Sequence, residues 1–360
     1  MDDRELDEIA ASTAALLRAL EAFAFIGRRL NPPDLPALLA AVGRPEDPLR
    51  QILAAPTDWQ GPAAGVHAQL REAGTAVVSG FDELRAAVDA GDTLRAFRAL
   101  RHGPQALEAL YALAGVLPPV NRFFLEPAVR ADAVLQARFN SPAPNTGVMH
   151  GGGDPGARGA FSLYVPEYYV SDRAWPLVVA LHGGSGNGRS FLWSWLRAAR
   201  SHGAILVAPT AMSPTWAISG PDHDSPNLAH ILSEIGARWR LDPSRLLLTG
   251  LSDGGTFSYV SGLEPGSPFT HLAPVAAAFH PMLAQMADRE RLRDLPIYVA
   301  HGALDWMFPV DMARGAAGAL QAAGADVTYK EFDDLAHAYP TELNVELLAW
   351  LEARPRPAPG

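Results

Sequence analysis

The chain has 360 residues, of which 48% are hydrophobic, a formal charge of −10, no cysteine, and one lysine, Lys330, among 29 basic residues. A chain of that size holds a full α/β core beside a smaller second domain, and without cysteine it can form no disulfide, thiolate metal site or thiol nucleophile. The acidic balance opposes binding to a phosphate backbone, which requires clustered cations, so nucleic acid is not an expected partner.

From the amino terminus, Met1-Asp2-Asp3-Arg4-Glu5 lacks the basic and apolar regions of a secretory leader, and no run approaches the ~18 apolar residues of a membrane span. A soluble cytoplasmic protein is expected. Residues 8–30, 35–55 and 80–117 read as helices, punctuated by Pro32-Pro33, Pro56 and Gly103-Pro104. Leu94, Phe97, Leu100, Leu107 and Leu110 recur at three- and four-residue spacing and give a one-sided apolar stripe. Such a stripe must be covered. Pro118-Pro119 marks the boundary, so residues 1–120 are expected to form an all-α domain and 121–360 the catalytic domain. The junction is too short for a free tether, and docking of the helices as a partial cap or a homo-oligomer contact is expected.

Beyond Val134 strand-like runs alternate with helical ones: 147–150, 160–165, 177–181, 204–208, 246–249, 273–279, 297–301 and 326–332. Eight strands with intervening helices predict an α/β fold, a doubly wound and mostly parallel sheet. His150-Gly151-Gly152-Gly153, followed by Asp154-Pro155-Gly156, reads as the turn between the first two strands. Ser225-Pro226 reads as a helix N-cap with proline at the first position.

The most informative segment is Gly250-Leu251-Ser252-Asp253-Gly254, placed between the apolar run 245–249 and a helix-compatible stretch. Flanking glycines permit a sharp strand-to-helix turn that lifts a serine hydroxyl clear of the backbone. An alcohol attacks an ester only when a base takes its proton and a third group holds that base. Asp305 follows the strand 296–300 in His301-Gly302-Ala303-Leu304-Asp305, and His337 lies in Ala336-His337-Ala338-Tyr339-Pro340 after the last strand. The order Ser252, Asp305, His337 is that of one catalytic architecture and differs from the chymotrypsin and subtilisin orders. His301 precedes the acid and His280 closes an earlier strand, so both read as structural or pocket residues, and Asp333 and Asp334 stand too close to His337.

A tetrahedral intermediate also needs N–H donors for its oxyanion. The strand 176–181 ends in His182-Gly183-Gly184-Ser185-Gly186, where small residues let the main chain approach a substrate. The N–H groups of Gly184 and Asp253 are the expected donors, with Ser185 as the alternative to Gly184. Trp216 and Trp306, in loops beyond strand carboxyl ends, are candidates for the substrate pocket beside Ser185. His223 between Asp222 and Asp224 suggests a metal by composition, but three consecutive residues rarely converge on one ion, and a solvated loop is the better reading; no metal is expected.

Residues from about 147 to 352 resemble the phospholipase/carboxylesterase and polyhydroxybutyrate-depolymerase-like esterase branches of the α/β-hydrolase superfamily. The matching pieces are Leu181-His182-Gly183-Gly184, Gly250-Leu251-Ser252-Asp253-Gly254-Gly255, His301-Gly302-Ala303-Leu304-Asp305 and Ala336-His337-Ala338-Tyr339-Pro340. The resemblance implies a serine carboxylic ester hydrolase that uses no cofactor, with a small-molecule or polymeric ester as substrate. Acyl chain length, phospholipids and polyesters are left open by it. Two alternatives share the motifs: a serine peptidase of the prolyl-oligopeptidase type, and a ligand-binding homologue without catalysis.

Overall fold

A computed structural model describes residues 3–55 and 59–356; Met1, Asp2 and Pro56 from the sequence reading lie outside the described residues. Contacts divide the chain into two units, residues 1–132 and 133–360. The division thus falls after Asp132 and not at 120, because Pro118-Pro119 starts a short helix inside the first unit instead of ending it.

The first unit contains α1 (Asp3–Arg29), α2 (Leu35–Val42), α3 (Asp47–Ala54), α4 (Gly61–Ala90), α5 (Thr93–Ala99), α6 (His102–Tyr111) and α7 (Pro118–Phe123). Two expectations are corrected here. The stretch 80–117 is not one helix, since Gly91 takes a left-handed φ of 63° that closes α4, and the Asp92 side chain then accepts from the Arg95 N–H to start α5. The covered face is also different. Ala96, Ala99, Gly103, Ala106 and Ala109 are buried together with Leu110 of the expected stripe, whereas Leu94 is 68% exposed and Phe97, Leu100 and Leu107 are only half-buried. Small residues let the helices lie close on α4, where a Cβ on Gly80 would stand 3.1 Å from His102 Cβ of α6 and 2.6 Å from the ring of Phe23 of α1, which packs edge-on against Phe81. By length and composition α1 could cross a membrane, which the sequence reading did not anticipate; half of its apolar window is buried within the protein.

The second unit opens with α8 (Ala133–Arg138) and is built on one eight-stranded sheet: β1 (Gly147–Gly151), β2 (Phe161–Val165), β3 (Trp175–Leu181), β4 (Ile205–Pro209), β5 (Leu241–Leu251), β6 (His271–Val275), β7 (Pro296–Gly302) and β8 (Asp326–Phe332). Its order is β1-β2-β4-β3-β5-β6-β7-β8. The β1–β2 and β2–β4 pairs are antiparallel and the rest parallel. The expected α/β architecture is therefore found. Strands β2, β3, β4, β6 and β7 are buried at every residue, as continuous apolar runs require, so both faces of the sheet are covered.

Between the strands lie α9 (Gly188–His202), α10 (Asp224–Arg238), α11 (Asp253–Gly262), α12 (Met282–Met286), α13 (Arg289–Leu292), α14 (Val310–Ala322) and α15 (Leu343–Ala353). Helix α9 packs on β2, β3 and β4, α11 on β5 and β6, and α14 on β7 and β8. Helix α10 starts at Asp224 with His223 as its N-cap residue, so Ser225 does not cap it, and the first N–H groups, of Asp224 and Ser225, donate to the Asp222 carboxylate just before the cap at 2.9 Å each. Parallel strands all point their carboxyl ends one way, which gathers the loops after β3, β5, β7 and β8 at a single edge.

Candidate active site

Strand β5 delivers Ser252 into a backbone conformation that L-residues rarely adopt, φ 56° and ψ −118°. The surrounding glycines explain how the turn fits. A Cβ on Gly250 would meet the Gly254 carbonyl carbon at 2.5 Å, and one on Gly254 the Leu181 and His182 carbonyl oxygens at 2.5 Å. On Gly255 it would meet the Gly250 and Val275 oxygens at 2.9 Å. Thus α11 starts wedged against β3 and β5, and the Ser252 N–H donates to the Val275 oxygen at 2.9 Å.

The structure brings Asp305, His337 and Ser252 into one hydrogen-bonded line. His337 Nδ1 lies 2.8 Å from Asp305 Oδ2, and its Nε2 lies 2.9 Å from Ser252 Oγ. A carboxylate only accepts, so Nδ1 carries the proton and Nε2 is free to accept from the serine hydroxyl. Burial pushes the Asp305 pKa up, but the bond to His337 and the N–H groups of Phe308 and Met307 outweigh it and hold the carboxyl below its ordinary value. The acid and base loops are tied together through the Leu304 N–H, which donates to the Leu335 oxygen at 3.0 Å.

The rival groups have other places. His301, 1% exposed, donates from Nε2 to the Phe308 oxygen at 2.8 Å and so braces the acid loop. His280 is exposed and accepts from the Met282 N–H, while Asp333 and Asp334 face solvent.

After β3, His182 is buried and burial lowers its pKa to about 4, so it is neutral near pH 7. Its Nδ1 donates to the Gly183 oxygen at 2.6 Å and its Nε2 accepts from the Ala211 N–H at 3.1 Å. Gly184 is exposed, and among the described residues neither its N–H nor that of Asp253 has a partner in the chain. The Ser185 N–H, by contrast, donates to the Pro214 oxygen at 2.9 Å, which removes it as the alternative oxyanion donor.

Of the two pocket tryptophans, Trp216 is 3% exposed, stacks on Phe257 and donates its indole N–H to the His182 oxygen at 2.8 Å. It is a core residue behind the glycine turn and does not line a pocket. Trp306 is 48% exposed, with its ring centroid 6.4 Å from that of His337. Sequence reasoning missed Thr215, whose hydroxyl donates to the Asp253 carboxylate, and Asp224, which is 2% exposed and not in a solvated loop. Nothing local in the sequence marks either one, because each partner is remote along the chain or on the backbone. Among the described residues no group of three His, Asp or Glu side chains is disposed to hold a metal.

No family model matches the chain. The bifunctional acetylxylan esterase/xylanase XynS20E of Neocallimastix patriciarum is 28% identical over 169 residues, covering 45% of this chain and 24% of that protein. The chain therefore spans about a quarter of the length of the curated relative it matches. Among solved structures, a thermostable esterase is 24% identical with a TM-score of 0.45, covering 55% of this chain and 59% of that one. A truncated carbohydrate esterase from gut microbiota is 14% identical with a TM-score of 0.48, covering 59% and 98%. The strand order, the two antiparallel pairs that β2 makes at one edge and the serine turn after β5 decide the fold. The chain has the α/β-hydrolase fold. In this fold the residues brought together are Ser252, His337, Asp305 and the loop 182–186, all at the carboxyl edge of the parallel strands.

Proposed function

We propose that the chain is a serine carboxylic ester hydrolase acting through an acyl-enzyme. The observation that carries this reading is the hydrogen-bonded line from Ser252 Oγ through His337 to Asp305. Ser252 Oγ attacks the ester carbonyl as His337 Nε2 takes the hydroxyl proton, and Asp305 stabilises the resulting imidazolium. The oxyanion is received by the N–H groups of Gly184 and Asp253. Collapse expels the alcohol, which leaves with the proton from Nε2. Water then attacks the acyl carbon, gives a proton to Nε2, and the serine is released with the carboxylic acid. The esterase half of the curated relative's name supports the same chemistry.

Leu304, Trp306 and Met307 flank the acid and are about half exposed, which supports an apolar acyl or alcohol group as the part of the substrate they cover. Small and medium acyl esters fit this rim, as do segments of polyesters. A series of p-nitrophenyl esters of increasing chain length, run beside peptide anilides, tests the proposal. Ester turnover that disappears in Ser252→Ala is expected; turnover of anilides without esters would make the chain a peptidase, and turnover of neither would make it a binding protein.

A further inference from the structure

The segment 212–217, between β4 and α10, touches the glycine turn and the serine elbow at once. Pro214 accepts from the Ser185 N–H at 2.9 Å, and Trp216 donates to the His182 oxygen at 2.8 Å. Thr215 donates its hydroxyl to the Asp253 carboxylate. Both ends of the segment are held by one buried side chain: Asp224 Oδ1 accepts from the Met212 N–H and Oδ2 from the Ala217 N–H, each at 2.8 Å. A buried carboxylate satisfied by two backbone N–H groups is a strong and directional clamp.

The turn it supports has little stiffness of its own. Within 183–186 the one backbone bond is from the Gly186 N–H to the Gly183 oxygen, at 3.1 Å, and Gly184 and Ser185 are exposed. Yet oxyanion donors are effective only where their N–H groups stand at hydrogen-bond distance from the developing charge, so the turn must be held from outside. The Asp253 carboxylate lies against it: a Cβ on Gly184 would be 2.6 Å from Asp253 Oδ2 and 4.0 Å from Thr215 Oγ1. A carboxylate beside a developing oxyanion opposes it, and the Thr215 hydroxyl engages that carboxylate.

We propose that Thr215 and Asp224 are positioning residues for the Gly184 N–H. Asp224 fixes the segment 212–217, and Thr215, through Asp253, sets the separation between the elbow and the glycine turn. The kinetic consequence rests on the ester-hydrolase reading; the structural consequence does not.

The test uses the full chain with Thr215→Val, Thr215→Ser and Asp224→Asn. Three quantities are measured: kcat and KM on p-nitrophenyl butyrate, the rate at which a fluorophosphonate labels Ser252, and amide exchange of the peptide 181–188. Thr215→Val should lower kcat and labelling about 10- to 100-fold, leave KM within about threefold, and speed exchange at Ser185 and Gly186. Thr215→Ser, which keeps the hydroxyl, should restore all three, and Asp224→Asn should resemble the valine variant. If Asp224→Asn fails to fold, the Thr215 pair decides. Wild-type exchange in Thr215→Val, or a serine variant as defective as valine, overturns the proposal. If the protein cleaves no ester, the function fails but exchange still judges the brace; if esters are cleaved and no variant differs, the brace fails and the function stands.

Discussion

His337 Nδ1 stands 2.8 Å from Asp305 Oδ2, and the other oxygen of that carboxylate is held by the Met307 and Phe308 N–H groups at 2.9 and 2.8 Å. The acid is fixed by its own loop before it meets the imidazole, which leaves the ring one orientation in which Nε2 faces Ser252.

Replacing Ser252 by alanine should abolish ester turnover and fluorophosphonate labelling while leaving the fold intact. Nucleophile and base act as a unit, so a loss of about 10⁴-fold or more in kcat is expected. Far-ultraviolet dichroism and intact-mass labelling check it; a variant that still takes the label elsewhere at the wild-type rate would move the nucleophile.

Asp305→Asn should lower kcat by about 10³- to 10⁴-fold with little change in KM, because an amide can donate to Nδ1 and favour the wrong tautomer. Asp305, held below its ordinary value by the bond to His337 and the loop N–H groups, is ionised through the neutral range. The fall of kcat/KM in acid should therefore report a group other than Asp305. Wild-type kcat in the asparagine variant would shift the role to Asp333 or Asp334.

Acid stability should depend on two buried histidines that take no part in the proton transfers. Burial lowers both His182 and His271 to about 4 from the ordinary imidazole value of 6.5. Each folded pKa lies below the unfolded one, so the unfolded state binds more protons; stability is complete above about pH 6.5 and is lost as pH falls toward 4. Together the two should contribute a few kcal/mol of that loss. Urea unfolding from pH 7 to 4 measures it, and His271→Gln should flatten the slope. An unchanged slope would mean that His271 does not stay neutral in the fold.

Gly302→Ala should unsettle the base loop. A Cβ at Gly302 would lie 2.1 Å from the Leu335 carbonyl oxygen, and Leu335 stands two residues before His337. That oxygen is backbone and not the tip of a flexible side chain, so the backbone must move, at a cost of about 1–3 kcal/mol. Activity should fall more than denaturation midpoints suggest; a variant with wild-type kcat would show that the loop absorbs the methyl group.

The strands were legible because a parallel sheet covered on both faces demands uninterrupted apolar runs, and Leu177–Leu181 and Ile297–His301 could hardly be anything else. The elbow was legible because its glycines are imposed by backbone approach within a few residues and across one neighbouring strand. Chain order then selected Asp305 and His337, the groups that the fold brings within hydrogen-bond reach of one another. Exposure was not legible. Trp216 looked like a pocket residue and is core, Leu94 looked like core and is exposed, and Asp224 looked solvated and is a buried clamp. Each of those outcomes depends on what a distant segment lays over the residue: Phe257 over Trp216, the alanine face of α5 and α6 in place of the leucine stripe, and the returning segment 212–217 over Asp224. Periodicity and motif spacing record what the chain does locally; which side of a loop or helix meets protein is decided only when elements far apart in sequence pack together.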